Sequence, residues 1–270
     1  MVRPTPEQHV VDGPHGPIGV VRAGSGPPVI LIAGLGSTAR LWGELPVLLG
    51  RDFTVLAPDN RGVGGSREGQ AFTFERAADD VVAVMDAFDL PSAALLGVSL
   101  GGAIALHAAV AAPSRVRALV VASAAARLSG HGRRTIRLLA DLLDHAPPDV
   151  VGRSLMTLAF APPFHTAASA FVRDAAALYG PEPADVPGAR AQAAAALAGW
   201  DLTGQLPALR MPTLVLAGTR DPLVSVEDTA EIADLIPRAT FRAVPDAGHS
   251  VLAEGGTEVF QEVVRFLGDH

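Results

Sequence analysis

Residues 93–112 are almost continuously apolar and about as long as a membrane span, yet Gly97, Ser99, Gly101 and Gly102 interrupt them midway. Small residues at that spacing suit a sharp turn, so the stretch reads as buried strand, turn and helix. Other short apolar runs, 29–33, 53–57 and 117–123, are bounded by Gly, Pro or charge, as strands covered on both faces are. Helical patterns over 39–49, 74–88 and 100–111 alternate with them. Such alternation predicts βα units and a mostly parallel sheet. Ahead of it, 8–12 and 18–22 read as a strand pair joined at Gly13-Pro-His-Gly-Pro.

The rhythm changes after Ser123. From about 127 to 200 the pattern is helical, broken at Pro147-Pro148, Pro162-Pro163 and Gly180-Pro-Glu-Pro183. It then resumes with strands at 213–217 and 240–244 and helices at 226–235 and 257–267. The expected organisation is a core of 1–126 and 201–270 with a helical lid, 127–200, inserted between its halves. No internal repeat is evident. At 270 residues, 49% hydrophobic and 18% charged, the chain has material for one large core and is not a disordered sequence.

Composition narrows the chemistry. There is no cysteine, which excludes disulfides, thiolate nucleophiles and Cys-ligated metals. All 21 basic residues are arginine, so a Schiff base, a PLP anchor, a P-loop lysine and a Ser–Lys dyad are excluded too. A net charge of -7 leaves no footprint for nucleic acid. Neither a membrane anchor nor a secretory signal is visible, and a cytoplasmic location is the default expectation.

The strongest chemical signal is Gly97-Val98-Ser99-Leu100-Gly101, between an apolar run and a helical stretch. A serine on a strained strand-to-helix turn needs small neighbours two residues away on each side. The helix that follows points its positive dipole end and unpaired N–H groups at the serine, favouring a developing oxyanion. Serine needs a base, usually an imidazole oriented by a carboxylate. Of the eight histidines, His249 follows the last predicted strand on a loop, at the sheet edge where Ser99 would sit. His107 reads as a helix-face or core residue. For the carboxylate, Asp221 follows strand 213–217 at the same edge, whereas Asp246 reads as a turn former.

On these residues the chain resembles the α/β-hydrolase superfamily over nearly its whole length, with Ser99, Asp221 and His249 in the family's nucleophile–acid–base order. Asp59-Asn60-Arg61-Gly62-Val63-Gly64-Gly65-Ser66 is similar to the family's turn after the fourth strand, where Asp59 and Arg61 tie loops together. The resemblance implies a mostly parallel, eight-stranded sheet with helices on both faces. It implies an oxyanion hole from the N–H groups of Leu35 and Leu100. Many relatives carry His-Gly where this chain has Ala33-Gly34, which puts that loop's hydrogen-bond brace in question.

The expected activity is hydrolysis of a small, largely apolar carboxylic ester or lactone, resembling the esterase and enol-lactonase branch, with no cofactor and no metal. Gly34, Trp42, Leu223 and Val251 near the chemistry, and Met156, Phe160, Phe164 and Trp200 in the lid, are the candidate substrate contacts, with Leu128 and Phe171 beside them. Arg127, Arg133, Arg134 and Arg137 are expected on a solvated helix face. Alternatives on the same fold are a C–C bond hydrolase, a perhydrolase-type enzyme, or a non-catalytic ligand receptor. The partner expected is a small molecule, not nucleic acid or a membrane; the oligomeric state is open.

Overall fold

A computed structural model describes residues 5–69, 71–171 and 180–270. Eight strands form one sheet: β1 (Glu7–Gly13), β2 (Gly16–Ala23), β3 (Pro28–Ile32), β4 (Thr54–Pro58), β5 (Ala93–Val98), β6 (Val116–Ala122), β7 (Thr213–Gly218) and β8 (Ala239–Val244). Their order is β1-β2-β4-β3-β5-β6-β7-β8. β2 runs antiparallel to both β1 and β4, and every other pairing is parallel.

The central strands read as unbroken apolar runs because both sheet faces are covered. In β3, Ile30 and Ile32 join one core with the helices Phe74–Ala87 and Leu100–Ala111, while Val29 and Leu31 join the other with Trp42, Leu49 and the final helix Gly256–Asp269. Period-two alternation thus sends every second side chain to a different apolar layer. The long apolar stretch resolves as β5, a turn at Ser99 and the helix Leu100–Ala111, and no described helix is long and apolar enough to cross a membrane.

Two helix boundaries differ from expectation. Residues 39–49 form a 3-10 turn, Ala39–Trp42, and a short helix, Leu45–Leu49, because Gly43 turns to φ 49° between them and Pro46 opens the second piece. A separate turn, Val251–Glu254, precedes the final helix, with Gly256 at φ 58° making the break.

Between β6 and β7 lie the helices Gly130–His145, Pro148–Ala159, Pro162–Ala167 and Val186–Ala198, with no named strand among the described residues. Residues 172–179 of the expected helical block lie outside the described residues. The segment leaves and re-enters the sheet layer at one place: Arg127 bridges Asp201, and Leu128 N–H donates to the Trp200 carbonyl at 3.1 Å.

Candidate active site

The turn at Ser99 is built by its glycines. Ser99 has φ 55° and ψ -123°, a conformation that costs a non-glycine residue about 1–3 kcal/mol and persists only when its surroundings enforce it. They do. A Cβ on Gly101 would lie 2.0 Å from the Ile32 carbonyl oxygen, so only glycine lets the helix start come this close to β3. A Cβ on Gly97 would meet the Gly101 carbonyl oxygen at 2.3 Å. Ser99 N–H donates to the Ala122 carbonyl at 3.0 Å, and its carbonyl accepts from Gly102 and Ala103 N–H.

His249 follows β8 on the same edge. Its Nδ1 is 2.8 Å from Asp221 Oδ2, with the Asp221 side chain 1% exposed. The other carboxylate oxygen accepts from Leu223 N–H at 2.8 Å and Val224 N–H at 3.0 Å. Both oxygens are thereby committed and the carboxylate is held at a fixed angle to the ring, with the Nδ1 proton donated to it. Among the described residues, this is the one hydrogen bond made by the imidazole. Asp246 has φ 59° and pairs with Arg220 at 2.6 Å, so it shapes the loop.

Ser99 and His249 line one cavity of about 460 Å³, together with Gly34, Trp42, Leu223 and Val251. Across from Ser99 lies the loop after β3, where Ser37 N–H donates to the Gly34 carbonyl at 3.2 Å. Neither Leu35 N–H nor Leu100 N–H donates to a protein acceptor among the described residues. No histidine braces this loop. Asn60 Nδ2 donates to the Ala33 carbonyl at 2.8 Å, and Gln192 Oε1 accepts from Gly36 N–H at 2.8 Å while its Nε2 donates to the Arg61 carbonyl at 3.0 Å. Two carboxamides therefore brace the loop from either side of Gly34-Leu35.

A profile described as alpha/beta hydrolase fold matches residues 27–256. The chain belongs to that family. Among relatives of this alpha/beta hydrolase, 93% of the chain is 32% identical to part of the polyketide synthase ThaQ of Burkholderia thailandensis, spanning only 12% of that protein. BpoC of Mycobacterium tuberculosis, which carries the name of a non-heme bromoperoxidase, is 29% identical over 90% of this chain and 95% of its own. The crystal structure of BpoC from strain H37Rv superposes with TM-score 0.83, covering 93% of this chain and 96% of that one, and 26% of residues are identical. A thermophilic esterase from Thermogutta terrifontis superposes with TM-score 0.80 and 26% identity, covering 97% of this chain and 99% of that one.

Other expected contacts fall differently. Trp200 and Leu128 line a second, smaller cavity of about 70 Å³ that also reaches Ser99 and Leu100. Met156, Phe160 and Phe164, expected as substrate contacts, line neither of these two cavities. With Ala159 they form a small core of their own, Phe160 stacking on Phe164 at 4.9 Å and Phe171 meeting Phe160 edge-on at 6.0 Å. The rings satisfy one another, which helical spacing could not reveal. Leu139, Leu155 and Ala159, on neighbouring helices, are the described residues of the inserted segment that face the large cavity instead. Arg127 pairs with Glu231 at 2.8 Å, and Arg133 donates to the Leu197 carbonyl.

The family turn after β4 is structural. The Arg61 side chain, wholly buried, donates to both oxygens of Asp80 and to the carbonyls of Gly16, Pro17 and Glu68. Burial pushes the Asp80 carboxyl above its ordinary range, against the pull of Arg61. Asp59 accepts from Ala39 N–H and Gly65 N–H, and burial likewise raises its pKa. His107 lies away from the site, as its helix position suggested: Nδ1 donates to the Ala103 carbonyl at 2.8 Å and the ring stacks on Phe74 at 4.6 Å. Burial pushes its pKa down.

Sequence reasoning missed Glu254. Its carboxylate accepts from Gly248 N–H and Ala161 N–H, each at 2.9 Å, tying the histidine loop to the inserted segment. Ser250 N–H adds a bond to the Ala159 carbonyl at 2.8 Å. Burial raises the Glu254 pKa. No group of three or more potential metal ligands is gathered among the described residues.

Proposed function

We propose that this chain is a serine hydrolase that cleaves a small, largely apolar carboxylic ester or lactone through an acyl-enzyme. Ser99 Oγ attacks the carbonyl carbon while His249 Nε2 takes its proton. Asp221 keeps the Nδ1 proton on the far side of the ring and stabilises the imidazolium that forms. The tetrahedral oxyanion is held by the N–H groups of Leu35 and Leu100. His249 then protonates the leaving oxygen, and a water activated by the same ring releases the acid. A lactone follows the same steps with its alcohol still tethered to the acyl group.

The observation that carries this reading is the doubly anchored Asp221 carboxylate 2.8 Å from His249 Nδ1, with the strained Ser99 facing the same cavity. Likeness to the Thermogutta esterase lends support to ester chemistry. Residues 127–200 act as a cap on the core of 1–126 and 201–270. Leu139 and Leu155 wall the cavity, Gln192 grips the oxyanion loop, and Glu254 grips Ala161.

The test is hydrolysis of p-nitrophenyl acetate by the wild type, Ser99→Ala and Asp221→Asn. The expected result is a loss of roughly 10⁴-fold or more in kcat for each variant with the fold retained. Full activity in Ser99→Ala overturns the proposal.

A further inference from the structure

Two cavities meet at Ser99, and they are unequal in size and in their relation to His249. The larger, about 460 Å³, is lined by His249 and by the run Ser250–Ala253 that follows it. The smaller, about 70 Å³, is walled by Leu100, Ala103, Leu128, Ile136 and Trp200, and His249 is not part of its lining. We propose that the site sorts an ester by its halves, taking a short acyl group into the small pocket and a large, uncharged, apolar alcohol into the large one.

This assignment rests on the serine-hydrolase reading above and follows from the tetrahedral intermediate. Its carbon bears four groups: Ser99 Oγ, the oxyanion, the leaving oxygen and the acyl chain. The oxyanion is turned toward Leu35 and Leu100 N–H. The leaving oxygen must come within about 2.6–3.2 Å of His249 Nε2, because that nitrogen supplies its proton. The alcohol therefore extends on the His249 side, into the large cavity. The acyl chain takes the one direction left, toward Trp200.

Volume then sets the chain lengths. A protein cavity of about 150 Å³ accommodates benzene, roughly 25 Å³ per heavy atom. On that scale 70 Å³ holds about three heavy atoms and 460 Å³ about eighteen. The small pocket has little means of expanding. Trp200 is fixed by a hydrogen bond from Nε1 to the Ala125 carbonyl at 3.3 Å and by its packing on Phe74 at 5.0 Å. Its lining also holds a polar clasp, Ser129 Oγ donating to Asp228 Oδ2 at 2.7 Å, which a longer aliphatic chain would have to desolvate. Among the described residues no Asp, Glu or Arg lines the large cavity, and Leu41, Leu45, Leu48 and Phe260 give it an apolar wall.

Two ester series test the assignment. In the first, the alcohol is p-nitrophenol and the acyl group grows from acetyl to decanoyl. In the second, the acyl group is acetyl and the alcohol grows from ethyl to decyl, followed by acid release. The expected result is a fall of tenfold or more in kcat/KM beyond butyryl in the first series. In the second, kcat/KM rises by up to about fourfold per methylene, the equivalent of ~0.8 kcal/mol for each buried group. Trp200→Leu and, as a milder change in case that variant fails to fold, Ile136→Ala should move the acyl limit to longer chains and leave the alcohol series in its original order. A wild type that prefers long acyl groups on small alcohols overturns the assignment, as does an acyl limit that neither variant moves. Ser99→Ala separates the two ideas. Loss of turnover in that variant with a reversed preference defeats the sorting alone, whereas no turnover by the wild type on either series, or full turnover by Ser99→Ala, defeats the hydrolase reading and the sorting with it.

Discussion

On the proposed mechanism, Gln192 offers the sharpest test of how the inserted segment serves the chemistry. It is wholly buried, and its carboxamide joins Gly36 N–H to the Arg61 carbonyl. Gln192→Leu keeps the volume but leaves a donor and an acceptor without partners. Each unsatisfied buried group costs about 1–3 kcal/mol, partly offset by the added apolar burial, for a net loss of about 2–3 kcal/mol. For a domain of this size that lowers Tm by roughly 5–10 °C. The consequence for catalysis is separate. Gly36 adjoins Leu35, and a freed loop misplaces the Leu35 N–H, where loss of one oxyanion donor costs roughly 10²-fold or more in kcat. A partial displacement should cost about 10-fold to 10²-fold, with KM nearly unchanged because the contact strengthens in the transition state. The assay is kcat and KM for p-nitrophenyl acetate well below Tm, beside thermal unfolding. A lowered Tm with kcat within twofold of wild type would refute the link between Gln192 and the oxyanion loop.

Asp80→Ala strands the buried Arg61 guanidinium and should cost about 3–5 kcal/mol in urea unfolding, with part of that recovered in Arg61→Met/Asp80→Leu; a cost under about 1 kcal/mol would contradict the pairing argument. Gly101→Ala drives a methyl into the Ile32 carbonyl, so the variant should lose activity entirely or fail to fold; wild-type turnover and Tm would show that the close approach is not required. His107, whose folded pKa lies below 6.5, favours its neutral form in the fold. Below pH 6.5 the unfolded chain therefore binds the extra proton first, and stability is lost as pH falls through the folded value. Urea unfolding of His107→Gln should show a shallower decline than the wild type between about pH 6.5 and 5, and equal declines would remove His107 as its cause.

The central strands were legible because each is an apolar run with both faces covered, and the turn at Ser99 because a strained turn leaves glycines in fixed places. Ser99, Asp221 and His249 stood out for the same reason: each follows a readable strand at one sheet edge. Less legible were residues whose role comes from contacts across the chain. Gln192 is the one uncharged polar residue in the alanine-rich helix Val186–Ala198, and that oddity was the signal available. Glu254 carries no local mark, since its partners Gly248 and Ala161 are backbone groups, one of them far away in sequence. That Met156, Phe160 and Phe164 pack on one another was not legible either, for a physical reason. Aromatic residues on amphipathic helices can face a ligand or one another, and helical periodicity is the same in both cases.

The most direct test of the central claim is covalent capture of the nucleophile. The protein is treated with an alkyl fluorophosphonate, the intact mass and tryptic peptides are read, and ester hydrolysis is followed in parallel. The account predicts one adduct per chain, located on Ser99, forming in step with the loss of activity, slowed strongly in His249→Ala and absent in Ser99→Ala. Hydrolysis that survives complete labelling, or an adduct on another residue that accounts for the inactivation, would contradict it.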